Sequence, residues 1–263
     1  MGFADIIDNW WEKGFTERSM RPIIMAHRGQ SAHAPENTMA AFERAIREGA
    51  DACECDVRLS ADGEVVLMHD ANVARTTDGV GDIDQMTRQE IAALDAGSWK
   101  SDEYAGQRPP LLCDVLDLHN GRATLCIELK DYTCGEQVLR TIDACGAEDW
   151  ASICSFDYTA CVEARRHNPL VPVAWITSPR PGETTAQEVV RRLLAGNLQA
   201  ISTTVHFLSE ELLVLCRKAG LGVWIWTVDE PAAIVRLARL GVDMVISNDP
   251  ALAIDACRNA IGG

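Results

Sequence analysis

The sequence predicts a (β/α)8 barrel with a short N-terminal helix and an insertion after the second strand. The chain has 263 residues, close to the roughly 250 residues of a typical single barrel. Short apolar runs alternate with helix-like segments, which is the pattern of a parallel sheet. Eight such units in this length indicate a closed barrel. An open doubly wound sheet is the alternative, but no GxGxxG motif follows the first strand.

The chain begins with a predicted helical extension, residues 1–20, and continues as the barrel domain, residues 21–263. Apolar residues recur at helical spacing in the extension, namely Ile6, Ile7, Trp10, Trp11 and Phe15. We expect the extension to pack on the barrel, because its acidic polar face is unsuited to a membrane surface. The predicted strands are 23–27, 52–58, 124–129, 151–155, 171–176, 199–204, 222–228 and 242–247. The predicted helices are 37–48, 111–119, 134–144, 158–167, 185–195, 209–219, 230–240 and 250–258.

Residues 70–110 interrupt this alternation with polar, turn-rich sequence. We interpret them as an insertion after the second strand. Loops at the carboxyl ends of barrel strands form the active-site face, so the insertion is expected to border the functional site.

Charge and cysteine usage limit the partners of the protein. Lys and Arg number 24 against 39 Asp and Glu, a net charge of −15 that repels nucleic acid and anionic membranes. No apolar run is long enough to span a bilayer, and the N-terminus has no signal-peptide pattern. The ten cysteines are scattered through the chain, mostly in apolar runs, which fits a reducing compartment. We therefore expect a cytoplasmic protein that acts on a small molecule. The sequence does not decide whether it forms a homo-oligomer.

The second predicted strand carries alternating thiols and carboxylates. Glu54 and Asp56 point to one face, and Cys53 and Cys55 point to the other. Unpaired carboxylates are costly against packed helices whereas thiols are not, so the acids should face the barrel interior. A zinc site at the two cysteines would need a second thiol pair, which the sequence does not place there.

A third carboxylate, Glu128, lies on the next barrel strand and can sit beside Glu54. Like charges at one barrel mouth need a cation between them, or one of them takes up a proton. Carboxylate oxygens suit Mg²⁺, Ca²⁺ or Mn²⁺. The alternative is a buried salt-bridge cluster of these acids with Lys130 and an arginine.

Two histidines favour a reaction site over that salt-bridge cluster. His27 ends the first strand, reaches the same mouth, and is followed by Arg28. An Asp-Gly turn folds the next apolar run back onto the second strand, which lays His69 about opposite Glu54. Two imidazoles flanking a metal can act as general acid and general base, while Arg28 and Lys130 hold a phosphate. The cluster predicts metal-assisted cleavage of a phosphate ester.

With these motifs the sequence resembles the glycerophosphodiester phosphodiesterase family, barrels related in fold to phosphatidylinositol-specific phospholipases C. The resemblance covers nearly the whole chain from residue 23. The motifs that carry it are HRG (27–29), PENT (35–38), Glu-x-Asp (54–56), HD (69–70), RTTDGVG (75–81), IELK (127–130), SF (155–156), WTV (226–228) and GVDMVISNDP (241–250).

The resemblance implies a role for each site residue. Glu54, Asp56 and Glu128 are implied to bind the divalent metal, and His27 and His69 to be the acid–base pair. Arg28 and Lys130 are implied to contact the phosphate, and Phe156 and Trp226 to line the pocket for the alcohol or glycerol part. We expect Glu36 and Asn37 to shape the loop and cap the first helix. Trp224 is expected to pack in the barrel or against its helices rather than contact substrate.

The implied reaction is metal-dependent hydrolysis of glycerophosphodiesters, such as glycerophosphocholine and glycerophosphoethanolamine, to glycerol 3-phosphate and an alcohol. Two alternatives stay open. One is a phospholipase D- or C-like lipid phosphodiesterase on the same barrel, supported only by Trp10 and Trp11. The other is a barrel that binds phosphodiesters without cutting them.

Overall fold

Eight parallel strands close into a barrel in the computed structural model, which describes residues 21–180 and 182–261. The barrel strands are β1 (Ile23–His27), β2 (Ala52–Leu59), β4 (Thr124–Leu129), β5 (Ala151–Ser155), β6 (Val173–Ile176), β7 (Ala200–Thr203), β8 (Gly222–Ile225) and β9 (Met244–Ser247). Pairing runs β1-β9-β8-β7-β6-β5-β4-β2, and a further pairing of β1 with β2 closes the ring. The predicted fold class is confirmed. The predicted helix at 1–20 lies outside the described residues.

Helices cover the outside of the barrel. They are α1 (Met39–Arg47), α3 (Leu112–His119), α4 (Gly135–Ala144), α5 (Tyr158–His167), α6 (Ala186–Ala195), α7 (Glu210–Ala219), α8 (Pro231–Leu240) and α9 (Pro250–Ile261), whereas the short α2 (Arg88–Ile91) belongs to the insertion. Local sequence explains their ends. The Thr185 side chain accepts from the Glu188 backbone N–H at the start of α6, and Gly241 ends α8 with a φ of 71° that suits glycine. No helix within 21–180 and 182–261 has the length and apolar character needed to cross a membrane.

Two layers of buried side chains hold the barrel together. The outer layer lies between strands and helices and includes Cys53 and Cys55, so both thiols face the helices as the alternation predicted. The inner layer fills the barrel with mostly small residues, namely Met25, Ala52, Cys126, Cys154, Ala174, Ile176, Ala200, Met244 and Ile246. Small side chains at these positions leave room above them, at the carboxyl ends of the strands, for a cavity.

A hairpin and the insertion build one side of the barrel mouth. Strand β3 (Val65–Leu67) pairs antiparallel with β2, with Val57 opposite Leu67. Extended beyond Leu67, that register places Asp70 opposite Glu54, so His69 lies about opposite Glu54, one residue away from the exact position. Pairing stops at Leu67, and His69 turns into the mouth from the segment beyond it. The insertion packs on the hairpin through a small shared core, in which Val66 and Met68 meet Val73, Ile83 and Ile91.

Candidate active site

Three carboxylates meet at the mouth of the barrel. Glu54 and Asp56 leave the inner face of β2, and Glu128 leaves the inner face of β4, beside Asp56 in the strand register. One oxygen from each lies within 4.8 Å of the others, and all three side chains are buried. The structure therefore brings together the three acids that the strand alternation indicated.

One oxygen of each carboxylate lacks a hydrogen-bond donor. The Arg28 backbone N–H donates to Glu54 Oε2 at 3.0 Å, and the Asn37 amide donates to Asp56 Oδ2 at 2.8 Å. Glu54 Oε1, Asp56 Oδ1 and Glu128 Oε1 remain buried with no hydrogen-bond partner. Buried carboxylate oxygens without donors are costly, and hard divalent cations are bound by such oxygens. The donor set thus fits a hard divalent cation.

Two basic side chains lie against these acids. Arg28 Nε is 3.0 Å from Asp56 Oδ2, and Lys130 Nζ is 2.6 Å from Glu128 Oε1 and 3.2 Å from Asp56 Oδ1. Asp56 Oδ1 and Glu128 Oε1, two of the three oxygens named above, are therefore the oxygens that face Lys130. These contacts match the salt-bridge alternative in part. However, the two positive charges of Arg28 and Lys130 do not neutralise all three carboxylates.

The pKa values of the acids diverge within this cluster. Burial raises the pKa of Glu54 well above its usual value, and the charge of Asp56 adds to the effect. Burial and the charge of Asp56 also raise the pKa of Glu128. Burial would raise the pKa of Asp56 as well, but the charges of Arg28 and Lys130 outweigh it and lower that pKa. The two basic residues therefore stabilise chiefly the ionised form of Asp56.

Both predicted histidines face the cavity, and each is held through its Nδ1 atom. His27 Nδ1 is 2.7 Å from Asn248 Oδ1, and Asp229 accepts from the Asn248 side-chain amide at 2.7 Å, which fixes the orientation of that amide. His69 Nδ1 is 2.6 Å from Asp70 Oδ1. Because both acceptors are oxygens without a proton, Nδ1 carries the hydrogen in each ring. Nε2 is left as the reactive nitrogen of each histidine.

The histidine pKa values are both lowered, with burial as the main cause. Arg28 lowers the pKa of His27 further. For His69, the charges of Asp56 and the hydrogen bond to Asp70 oppose the effect of burial without cancelling it. Both imidazoles are thus biased toward the neutral form, which can accept a proton at Nε2.

The HRG segment turns sharply to place His27 and Arg28. Arg28 has a φ of 59° and Gly29 a φ of 77°, both in the left-handed region. A Cβ on Gly29 would lie 2.7 Å from the backbone carbonyl carbon of Ala41 in α1, closer than real Cβ contacts. Glycine is therefore required here for both its backbone conformation and the close approach of α1.

A cavity of about 190 Å³ lies between these groups. Phe156 and Trp226, which the resemblance placed in the pocket, line it as an edge-to-face pair with ring centroids 5.7 Å apart. Lys130 Nζ lies 5.7 Å from the centroid of the Phe156 ring. Trp224 packs against the inner layer, as expected, but also lines the cavity.

Several residues of the site were missed or misplaced by the sequence analysis. Thr38, rather than Glu36 or Asn37, caps α1, because its side chain accepts from the Ala41 N–H. Asn37 instead donates to Asp56, and Glu36 accepts from Arg28 and Arg75. The support of His27 by Asn248 was not foreseen, although the SNDP sequence lies within a motif that the resemblance had singled out.

Comparison with known proteins identifies the class to which this site belongs. The model of the glycerophosphoryl diester phosphodiesterase family matches residues 27–252. A glycerophosphodiester phosphodiesterase of Caldanaerobacter subterraneus subsp. tengcongensis is 33% identical over 245 residues, which cover 91% of this chain and 99% of the relative. Fold and site together define a barrel enzyme that hydrolyses phosphoric diesters. The chain belongs to the glycerophosphoryl diester phosphodiesterase family.

Solved structures of similar proteins share the whole barrel. A glycerophosphodiester phosphodiesterase from Agrobacterium tumefaciens str. C58 is 30% identical with a TM-score of 0.78, covering 90% of this chain and 100% of that one. An Oleispira antarctica phosphodiesterase, solved in complex with the product sn-glycerol-3-phosphate, is also 30% identical. Its TM-score is 0.80, and the match covers 90% of this chain and 96% of that one.

Proposed function

We propose that the protein hydrolyses glycerophosphodiesters, such as glycerophosphocholine and glycerophosphoethanolamine, to glycerol 3-phosphate and the free alcohol. The observation that carries the proposal is the set of three buried carboxylates with ligand oxygens within 4.8 Å of one another, flanked by two histidines and two basic side chains. The Oleispira antarctica relative, solved with sn-glycerol-3-phosphate, supports the choice of product.

Glu54, Asp56 and Glu128 would hold a divalent cation, Mg²⁺ or Ca²⁺, with Mn²⁺ as a further candidate. When bound, the cation supplies a Lewis acid that neutralises charge on the phosphoryl oxygens. Arg28 and Lys130 are the donors available to the phosphate in the same cavity, and both reach it while still in contact with Asp56. They offset the charge that develops on the phosphate in the transition state.

His27 and His69 form the acid–base pair in this proposal. One histidine takes the proton from the nucleophile at Nε2, and the other delivers a proton from Nε2 to the leaving alkoxide. The oxygen acceptors at both Nδ1 atoms hold the rings in the tautomer that this exchange needs. Phe156 and Trp226 offer an apolar wall to the glycerol or alcohol part of the substrate.

The test is release of glycerol 3-phosphate from glycerophosphocholine by chelator-stripped protein, with Mg²⁺, Ca²⁺ and Mn²⁺ added back singly. We expect release only with a metal. His27→Ala and His69→Ala should each abolish turnover while metal binding persists. Near-normal turnover in either variant would contradict the two-histidine scheme. A protein that binds the diester but releases nothing with any metal would be a binding barrel, and cleavage confined to intact phospholipid would indicate a lipid enzyme.

A further inference from the structure

One serine faces the catalytic cavity from the strand opposite the acids. Ser202 on β7 follows the inner-layer residue Ala200 by two positions, and it lines the cavity. The residue is 2% exposed, and no hydrogen bond among the described residues uses its hydroxyl. A nearly buried hydroxyl gains from a hydrogen bond, so this one favours a ligand that supplies a partner.

Strand β7 lies directly across the barrel from β2, the strand that carries Glu54 and Asp56. Counted round the closed ring, β7 is the fourth strand from β2 in either direction. A phosphoryl group held beside Arg28 and Lys130 lies on the β2 side of the cavity. A substituent of that group that extends across the cavity therefore brings its far end, and not the atoms next to phosphorus, to Ser202.

The cavity wall around Ser202 is apolar. Its neighbours in the strand register are Ile176 on β6 and Trp224 on β8, and both line the cavity. The histidines, acids and basic side chains of the cavity lining come from the other side, formed by β1, β2, β4 and the segment after β3. In an apolar setting a hydrogen bond is stronger than in water, and a missing one costs more.

A neutral hydroxyl group suits this wall better than a charged group. Glycerol ends in a hydroxyl that can both donate to Ser202 and accept from it. The trimethylammonium group of choline has no hydrogen to donate, so it would leave the Ser202 hydroxyl without a partner. The ammonium group of ethanolamine would meet no opposite charge on this wall, and such desolvation is costly.

We propose that Ser202 is a specificity-determining residue that forms a hydrogen bond with the terminal hydroxyl of the substrate's glycerol. The identity of the substrate rests on the proposed function. The contact makes the β6–β8 side of the cavity the glycerol side, and the alcohol end of the diester then points toward solvent. Ser202 therefore selects for glycerol and leaves the choice of alcohol open.

Binding of the product to the metal-loaded protein tests this contact without turnover. Calorimetry in excess Mg²⁺, and separately in excess Ca²⁺, compares sn-glycerol 3-phosphate with propane-1,2-diol 1-phosphate, which lacks only the terminal hydroxyl. We expect the wild type to bind glycerol 3-phosphate about tenfold more tightly. Ser202→Ala should reduce this preference to about twofold or less, by weakening the binding of glycerol 3-phosphate alone. Ser202→Cys, which fills the same space with a weakly hydrogen-bonding thiol, should do the same.

Ser152→Ala is the matched control for these variants. Ser152 is a buried serine on the inner face of β5, two positions before Cys154, and it is not part of the cavity lining. Ser152→Ala should therefore keep the full preference for glycerol 3-phosphate. A wild type that binds both phosphates equally, or neither, would overturn the proposal. Ser202 variants that keep the preference, or that weaken both ligands alike, would overturn it too.

Turnover distinguishes failure of this proposal from failure of the proposed function. Ser202→Ala should lower kcat/KM about tenfold for glycerophosphocholine and hardly change it for the phosphocholine diester of propane-1,2-diol. That diester keeps the hydroxyl next to the phosphate ester, so attack by water or by this hydroxyl stays open to it. An equal fall for both diesters would contradict the assigned role. If the wild type hydrolyses neither diester, the proposed function fails, while the binding preference still decides the role of Ser202.

Discussion

Asp70→Asn should invert the tautomer of His69. Asp70 Oδ1 accepts from His69 Nδ1 at 2.6 Å, and Asp70 Oδ2 accepts from Arg75 Nε. Arg75 is itself held by two hydrogen bonds to Glu36, at 2.8 and 3.0 Å, so its guanidinium stays in place. A guanidinium only donates, so the asparagine must turn its carbonyl oxygen toward Arg75 and its NH₂ toward His69. Nδ1 must then accept, and the ring proton moves to Nε2.

The wrong tautomer disables His69 in either catalytic step. As a base, its Nε2 no longer has a lone pair to accept a proton. As an acid, its charged form is disfavoured, because an NH₂ group rather than a carboxylate faces Nδ1. Losing a general acid or base lowers kcat by about 10²–10⁴-fold, or about 3–5 kcal/mol of transition-state free energy. KM for glycerophosphocholine should change much less, since Asp70 lies outside the cavity lining.

A double variant distinguishes the tautomer from a general loss of charge. In Asp70→Asn/Arg75→Met the asparagine amide is free to rotate and can present its oxygen to His69 Nδ1. The kcat of this double variant should therefore be at least about tenfold higher than that of Asp70→Asn. Arg140→Met is the control, because Arg140 forms an exposed ion pair with Glu136 on α4. Nitrogen chemical shifts of the His69 ring report the tautomer directly. Near-wild-type kcat in Asp70→Asn, or a double variant no faster than that single one, would refute the reasoning.

Three further predictions concern stability and the metal site. Gly29→Ala should destabilise the fold by more than Gly63→Ala. Both glycines have positive φ, which costs about 1–2 kcal/mol for an alanine, but of the two only a Gly29 Cβ would clash with backbone, 2.7 Å from the Ala41 carbonyl carbon. Equal urea midpoints for the two variants would contradict this. Ile127→Ala, in the outer core, should lower the free energy of unfolding by about 2–5 kcal/mol. Leu170→Ala, at a side chain that is 74% exposed, should leave it almost unchanged in the same urea assay. The raised pKa of Glu54, due to burial and to Asp56, means that the metal-free fold loses stability as pH rises from the unfolded-state pKa through the raised one. Added Mg²⁺ or Ca²⁺ should therefore raise Tm more at pH 8 than at pH 5. Glu54→Gln should reduce that difference without removing it, because the pKa of Glu128 is also raised; a pH-independent metal effect in the wild type would count against the carboxylate site.

Strand alternation was enough to predict the acids, whereas the supports of the histidines depend on contacts that no local pattern reports. Glu54 and Asp56 could be assigned to the interior because carboxylates are costly against packed helices, whereas the alternating thiols are not. The bond between His27 and Asn248 joins residues 221 apart, across the seam where the first and last strands meet. The contact between the Cys126 and Cys154 thiols depends on the register between β4 and β5, which neither strand encodes alone.

The net charge of the site explains why an acidic protein would need a cation to bind an anionic substrate. Arg28 and Lys130 do not balance Glu54, Asp56 and Glu128, so the fully ionised cluster is negative and repels a phosphodiester. Protonation of Glu54, favoured by its raised pKa, only brings the cluster to neutrality. A divalent cation bound to the three acids would reverse the sign and make the mouth locally positive within a chain of net charge −15. Removing the metal should therefore weaken substrate binding as well as turnover, which separates this electrostatic role from pure Lewis-acid catalysis.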